Sequence, residues 1–531
     1  MTRVRLCRRR RLEGIPSRDP LVNLTPLVMA SLLACTPGDE APGTAESVAG
    51  DRVRLKQSLT DRIRADPADA GAHFELGDLQ YQQGRFDDAL RFYRAALKLD
   101  SLDSRVHSAI GKAQVNRGEF EEAIAAFHRS VTLNPDSSDA HRQLGEVYLR
   151  LGHYRQALSS LLDAAQRQPQ HGRTHYHIGL AYTRLGADEQ ALASLRRSAA
   201  LDPKHAPSYF TIGKLLCHRL RRCEEGARSI EKAIDRDPDG VLYRVALGRI
   251  LMKLQRDEEA AEAFRGAAEA DSGSADAYSG LGLSLSRMAR YGEAETALVK
   301  AVALNPLDPE ARRALSEVYH TKGEEGAAEN QRAMAGRIEH YRGALRKNRA
   351  LLSRDPQDAE AHYSLGTIYS RLGFAEEAVE EFKRSLLADP AQARAWQNLG
   401  SAYMRLERVD DAITALRQAL DIDSGYELAW LNLGTAHLSK GYLVEARQAY
   451  DQALELRPGY SDALHGLGNV DLKDGAIDRA IDHYRAALAA DSAHVSAHYG
   501  LATAYRSLGD SAGVAAEMRL FRLGQSKTPG P

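Results

Sequence analysis

The chain has 531 residues, several times the length that one compact core needs, so it must form several domains or one array of repeats. Apolar residues make up 43% of it, which excludes general disorder. The formal charge is −1 and becomes more acidic without residues 1–34, which argues against a nucleic-acid binder. No run of 18 apolar residues is present in the sequence, so no membrane-spanning helix is predicted.

Residues 1–35 have the composition of a secretion signal. Arginines dominate residues 3–11, and a mostly apolar stretch follows from Leu21 to Ala34, directly before Cys35. A basic start, a short apolar core and a small residue before the cut are typical of a cleaved signal peptide. Residues 36–50 are rich in Pro, Gly and Thr, and we expect a flexible tether there.

The segment Leu32-Leu33-Ala34-Cys35 resembles the lipobox of bacterial lipoproteins. The resemblance implies that Cys35 receives the lipid and becomes the mature N-terminus. It also implies a protein of the cell envelope that is held on a membrane by its lipid without spanning it. Two alternatives are a disordered basic tail, with the true start codon farther downstream, and an organelle transit peptide.

A 34-residue period runs through residues 70–524. An aliphatic residue and a glycine, first seen as Leu76-Gly77, recur in nearly every period. A small residue such as Ala89 lies twelve residues after the glycine. A large apolar residue such as Tyr93 lies four residues after that, and Ala or Ser lies three residues further on. Thirteen repeats follow from this pattern, with starts at about 70, 104, 138, 172, 206, 241, 275, 309, 359, 393, 427, 461 and 495.

This pattern resembles that of tetratricopeptide-repeat proteins. The resemblance implies an all-α fold, a right-handed α-solenoid of about 13 helix-turn-helix repeats, with a groove lined mainly by the first helix of each repeat. The residue types at these positions have physical reasons that are consistent with this fold. The glycine at position 8 and the small residue at position 20 allow two helices to approach closely, and a closing Pro ends the second helix. One repeat cannot bury its own apolar face, so stability comes from stacking.

The period is interrupted once. We expect residues 51–325 to hold a leading helix at 51–65, repeats 1–7 and the start of a weak repeat 8. Residues 326–358 are expected to be a degenerate seam with a separate helix at 337–354, because Arg332 stands where a large apolar residue belongs. Repeats 9–13 follow at 359–524, and residues 525–531 are expected to be a disordered tail.

The groove positions of such repeats are the second, fifth, ninth, twelfth and thirteenth, and here they hold aromatic and basic residues. These candidate binding residues are Phe74, Tyr81, Lys112, Arg142, Arg150, Tyr176, Arg184, Phe210, Lys214, Arg249, Lys253, Arg287, Tyr363, Arg371, Arg405 and Tyr499. Apolar platforms with positive charge suit an extended acidic or carboxylate-bearing segment of a partner protein. The alternative is that the thirteenth position holds only a solvated Lys or Arg.

Histidine and cysteine raise the question of metal or redox chemistry. Six histidines share position 4 of their repeats, where other repeats carry Trp, so an aromatic slot explains them and no metal is expected; they are His73, His107, His141, His175, His362 and His498. Cys217 and Cys223 bracket the turn of repeat 5, and a disulfide is expected if the protein is exported. The alternative is two unpaired thiols.

No catalytic motif and no cofactor site is apparent in the sequence. The leading hypothesis is therefore a non-catalytic envelope scaffold that binds peptide segments or partner proteins. The alternatives are a cytoplasmic scaffold or regulator, and a substrate-selecting subunit of an enzyme whose catalytic domain lies on another chain.

Overall fold

The computed structural model describes residues 45–525, and within this range it contains 27 α-helices and no β-strand. The helices form two compact units, with the boundary between Lys204 and His205. Each of the thirteen predicted repeat starts is the first residue of a helix. The predicted all-α repeat fold is therefore confirmed.

Unit 1 holds nine of the described helices. Their bounds are α1 Ala45–Ala65, α2 Ala70–Gln82, α3 Phe86–Leu99, α4 Ser104–Arg117, α5 Phe120–Leu133, α6 Ser138–Arg150, α7 Tyr154–Arg167, α8 Gly172–Leu185 and α9 Asp188–Leu201. The helix α1 packs on α2, and the remaining helices pack in consecutive pairs.

Unit 2 holds eighteen of the described helices, which pack in the same consecutive way. Their bounds are α10 Ala206–His218, α11 Cys223–Arg236, α12 Val241–Lys253, α13 Asp257–Ala270, α14 Ala275–Arg287, α15 Tyr291–Leu304, α16 Pro309–Thr321, α17 Glu325–Leu352, α18 Ala359–Leu372, α19 Ala375–Ala388, α20 Ala393–Arg405, α21 Val409–Ile422, α22 Glu427–Lys440, α23 Leu443–Leu456, α24 Ser461–Lys473, α25 Ile477–Ala490, α26 Val495–Ser507 and α27 Ser511–Gln525.

A large side chain at position 24 fills the space that the glycines leave open. Phe264 is fully buried, and a Cβ atom added at Gly248 of the same repeat would lie 2.7 Å from its ring. A Cβ atom at Gly280 of the following repeat would lie 2.3 Å from the same ring. One aromatic ring thus packs against the first helices of two successive repeats, which is how stacking buries the apolar face.

The segment between repeats 8 and 9 differs from the prediction. In place of a separate helix at 337–354, one helix of 28 residues, α17, runs from Glu325 to Leu352. No proline interrupts it, and a Cβ atom at Gly336 or Gly343 would meet nothing within 4 Å, so these glycines mark no close helix crossing. The first part of α17 pairs with α16, and its later residues Ile338 and Leu345 pack with Leu365 of α18.

The structure describes only part of the N-terminal segments for which predictions were made. The helix α1 begins at Ala45, six residues before the predicted start of the leading helix. The signal segment, Cys35 and most of the tether lie outside the described residues, as do residues 526–531 of the predicted tail. Among the described helices, none combines the length and apolarity needed to cross a membrane.

Candidate functional site

The histidines at position 4 hold the loop that precedes their helix. The Nε2 atom of His141 lies 2.9 Å from the backbone oxygen of Pro135, six residues earlier, and the Nε1 atom of Trp396 donates to Pro390 at 3.0 Å. The same contact recurs at His73, His107, His175, Arg244, Arg312, His362 and Trp430. These side chains form hydrogen bonds with a backbone carbonyl of the loop, so position 4 has a structural role.

His498 departs from this pattern and instead places its Nδ1 atom 2.6 Å from Glu517. No group of three or more His, Cys, Asp or Glu residues within 45–525 has the arrangement of a metal site.

Two of the predicted groove cations cap the first helix of the preceding repeat. Arg287 donates to the backbone oxygen of Met252 at 3.0 Å, and Arg405 donates to that of Ser370. Lys473 makes the equivalent bond to Leu438 at 3.1 Å. The last carbonyls of a helix have no partner within the helix, and a cation there also meets the negative end of the helix dipole. Position 13 therefore joins successive repeats.

In unit 1 the predicted groove residues are accompanied by carboxylates. Phe74, Tyr81 and Lys112 line a cavity of about 350 Å³ together with Asp78 and Asp139. The Nζ atom of Lys112 lies 2.7 Å from Asp139. Burial raises the pKa of Asp78, whose carboxylate accepts a hydrogen bond from the hydroxyl of Tyr93 at 2.6 Å. The positive charge expected here is thus balanced by acids.

The most enclosed ion pairs of unit 1 centre on Arg142. Its guanidinium pairs with Asp139 and Glu146, and its side chain is only 13% exposed. The Nδ1 atom of His177 lies 2.9 Å from Glu146, although the two groups are not aligned for a hydrogen bond. Burial alone would raise the pKa of Glu146, but His177 and Arg142 outweigh burial and hold that pKa at about 2.

The other predicted residues of unit 1 do not form one patch. Tyr176 is buried, with its ring centroid 5.5 Å from that of His177. Arg184 is exposed, and burial lowers the pKa of Arg150. Sequence reasoning identified Lys112 and Arg142 but missed Asp139 and Glu146, which neutralise these two cations.

Unit 2 begins with a concentration of basic side chains that we name the repeat 5–6 basic cluster. It consists of Lys214, His218, Arg221, Arg249 and Lys253. The Nζ atom of Lys253 lies 2.8 Å from Nδ1 of His218. Burial first, and then the charges of all four other members of the cluster, lower the pKa of His218 to about 4. Burial and the surrounding cations therefore keep the imidazole neutral at pH 7.

Aromatic rings adjoin the basic cluster. The ring centroids of Phe210 and Tyr243 lie 5.0 Å apart, and the ammonium of Lys214 lies 5.3 Å from the centre of Phe210. One carboxylate, Asp276, lies 3.1 Å from Arg249, and both side chains are more than half exposed. Sequence reasoning predicted Phe210, Lys214, Arg249 and Lys253 but missed His218 and Arg221.

Of the two missed residues, His218 ends α10 and Arg221 lies in the turn between α10 and α11. Arg221 has φ 59°, the left-handed region, and the structure joins Cys217 to Cys223 across this turn with their Cα atoms 4.0 Å apart. The extra residue in this turn was the available signal, since a longer loop places an added cation beside position 13. The disulfide stays a prediction for the protein in its native compartment.

Repeats 9–13 contribute amides and hydroxyls as well as cations such as Arg371 and Arg405. Asn398 donates to the hydroxyl of Tyr363 at 3.3 Å, and Asn432 donates to Ser401 at 3.1 Å. Arg371 is exposed, and Tyr499 is 49% exposed with its ring centroid 5.4 Å from that of Phe521. The structure thus distributes the predicted groove residues over three chemically different surfaces.

A stack of helix pairs with a glycine crossing in nearly every pair is the architecture of a helical repeat protein. A tetratricopeptide-repeat family model matches residues 57–104, 219–275, 280–333, 335–384, 365–427 and 465–520, more than half of the chain, and a second such model matches residues 403–468. The chain therefore belongs to the tetratricopeptide-repeat family. Its repeats form a scaffold for protein interaction. Proteins of this fold are typically non-catalytic. The C-terminal domain of cilia and flagella-associated protein 70 also matches residues 99–237.

Solved structures that resemble the chain are repeat proteins. YrrB, described as having an unusual peptide-binding site, is 24% identical with a TM-score of 0.32, over 35% of this chain and 96% of its own. TTC0263, a protein of Thermus thermophilus, is 26% identical with a TM-score of 0.29, over 34% of this chain and 99% of its own. The Cut9–Hcn1 structure is 17% identical with a TM-score of 0.34, over 85% of this chain and 86% of its own. No curated protein matches the sequence.

Proposed function

We propose that this protein binds acidic segments of partner proteins at the repeat 5–6 basic cluster and holds them at a membrane of the cell envelope. The observation that supports the binding step is the environment of His218, whose pKa is lowered first by burial and then by four cations. Repulsion of this kind is relieved when a carboxylate enters. The rings of Phe210 and Tyr243 offer an apolar surface beside the charges.

Charge also distinguishes this surface from the rest of the array. In unit 1, Lys112 and Arg142 are paired with carboxylates that an incoming acid would have to displace. In repeats 9 and 10, Arg405 donates to the backbone oxygen of Ser370, and Asn398 donates to the hydroxyl of Tyr363. In the repeat 5–6 basic cluster, Arg249 pairs with Asp276, and both side chains are more than half exposed. An extended acidic segment therefore gains most from binding there.

A labelled oligoglutamate peptide tests the binding step by fluorescence anisotropy. The full chain should bind it more tightly than an oligolysine of equal length, and the affinity should fall as salt rises. Arg249→Gln with Lys253→Gln should weaken binding about ten-fold or more, because two partly desolvated charge contacts are lost. Arg184→Gln, an exposed cation of unit 1, should change the affinity less than about two-fold.

Two results would contradict the binding step. One is an equal loss of affinity in Arg184→Gln and in the double variant. The other is a pKa of His218, followed by nuclear magnetic resonance, that does not rise when the peptide is added, because a bound carboxylate stabilises the imidazolium.

The membrane step of the proposal has separate support. The residues Leu32 to Cys35 follow the lipobox pattern, and a disulfide between Cys217 and Cys223 would persist in an oxidising compartment. We expect the protein from its native cell to partition with membranes, to begin at Cys35 and to be heavier by the mass of lipid. In Cys35→Ala the protein should be released or unprocessed, whereas Cys7→Ala should behave as wild type, if Cys35 carries the anchor.

Intact mass spectrometry with membrane fractionation measures these outcomes. A soluble, unmodified chain that still contains residues 1–34 would contradict the anchor. It would leave the binding step intact and direct the search for partners to the cytoplasm.

A further inference from the structure

The last repeat exposes a face that the other repeats bury. In repeat 12, Ala480, Tyr484 and Ala487 stand at positions 20, 24 and 27 and are fully buried. In repeat 13 the same positions hold Val514, Met518 and Phe521, which are only partly buried. In repeats 9–12 the first helix of the following repeat covers this face, and within residues 45–525 no helix follows α27.

The exposed face forms an open cavity of about 820 Å³ at the end of unit 2. It is lined by Arg506 and Asp510 near the start of α27 and by Val514, Met518, Arg522 and Leu523 along the helix. Leu520 and Leu523 are 44% and 50% exposed. A contiguous apolar surface of this kind, with charges at its rim, is typical of an interaction site.

The lining residues of α27 form a stripe that is complementary to itself. Asp510, Val514, Met518 and Arg522 recur every four residues, so they lie along one side of the helix. From the N-terminal to the C-terminal end, the stripe consists of an acidic residue, two apolar residues and a basic residue. A second, antiparallel copy presents base, apolar, apolar, acid, so every residue meets a suitable partner. Asp510 and Arg522 are exposed, and neither forms an ion pair within the described residues.

We propose that α27 is the interface of a two-fold symmetric dimer, with a second copy of this chain as its occupant. An axis midway between Val514 and Met518 brings Asp510 opposite Arg522 of the partner subunit, and it does so twice because the interface is isologous. Val514 and Met518 then face each other in the centre, and Leu520 and Leu523 extend the apolar area. The dimer lies beyond the proposed binding of acidic segments and uses none of the same residues.

Sedimentation velocity of the full chain, in mild detergent so that an anchor at Cys35 does not itself cause association, tests the dimer. Over about a hundred-fold range of concentration, we expect a monomer–dimer equilibrium. Asp510→Arg and Arg522→Asp should each weaken dimerisation about ten-fold or more, because each creates two like-charge contacts per dimer. A wild-type chain that stays monomeric throughout would overturn the proposal and leave a helix of another protein as the occupant.

A mixing experiment separates lost pairing from lost folding. Asp510→Arg alone and Arg522→Asp alone should both be monomeric, yet an equal mixture should form a heterodimer with both charge pairs restored. Asp510 also accepts the backbone N–H of Gly513 at 2.9 Å, so Asp510→Asn serves as the control that keeps this helix cap and removes only the charge. Met518→Glu should abolish the dimer in every combination. Failure of the mixture to associate, with circular dichroism unchanged in both variants, would overturn the proposed pairing.

Discussion

Gly213→Leu is expected to destabilise repeat 5 by about 3 kcal/mol or more. A Cβ atom at Gly213 would lie 2.4 Å from Ile230 and 2.7 Å from the backbone oxygen of Gly226. The side chain of Ile230 is fully buried, so it has little room to move. The oxygen of Gly226 belongs to helix α11, so relief requires the two helices to separate. At Gly226 itself, where most repeats have alanine, a Cβ atom would lie 2.8 Å from the oxygen of Gly213.

Hydrogen exchange of peptides from α10 and α11 measures the loss of stability in repeat 5 directly. The matched control is Gly343→Ala in α17, where an added Cβ atom meets nothing within 4 Å. That change should stabilise the helix by about 0.5–1 kcal/mol, because alanine loses less backbone entropy than glycine. Similar exchange rates in Gly213→Leu and wild type would contradict the close crossing. Fluorescence of Trp396 and Trp430 would show whether the unfolding of repeat 5 extends to repeats 10 and 11.

Glu146→Gln is expected to lower the stability of unit 1 by about 3 kcal/mol at pH 7, the free energy that corresponds to the lowering of the pKa of Glu146 to about 2. The native carboxylate has a lower pKa than in the unfolded chain, so its contribution is present above about pH 4.5. It is lost as the pH falls through that value towards 2. The difference between wild type and Glu146→Gln should shrink over the same range.

Hydrogen exchange of α6 and α8 at several pH values measures this difference, because the two tryptophans lie in unit 2 and do not report on unit 1. Glu122→Gln, an exposed acid of α5, is the control and should change stability by less than about 0.5 kcal/mol at any of these pH values. A difference between wild type and Glu146→Gln that is independent of pH would show that the side chain acts through packing and not through its charge.

The helical elements were predictable because each has a local cause. The glycine at position 8 is needed wherever two helices cross closely, so it reports the register of every repeat that has it, and the thirteen starts match the structure. The helix α17 was not predicted, because the 34-residue period implies a turn after about residue 342. The chain there lacks the proline that closes other repeats, and residues such as Ile338 and Leu345 continue one buried face.

The candidate site was less predictable, because charge balance depends on contacts between repeats. Lys112 and Asp139 are 27 residues apart, and so are Arg249 and Asp276, which means that position 9 pairs with position 2 of the next repeat. The spacing was visible in the sequence, but only the structure shows that these positions touch. The role of position 13 in capping the preceding helix, as Arg287 does, has the same origin.

The continuous helix α17 determines where this chain can be divided into smaller proteins. The sequence period suggests a cut near residue 342, but that cut would sever α17 in the middle and remove Leu345 from its contact with Leu365. The loop between Leu352 and Ala359 offers a natural break, because a fragment ending there keeps the whole helix. A fragment of repeats 9–13 alone would then need a substitute for the face of α17 that covers α18, as a capping repeat does in other helical arrays.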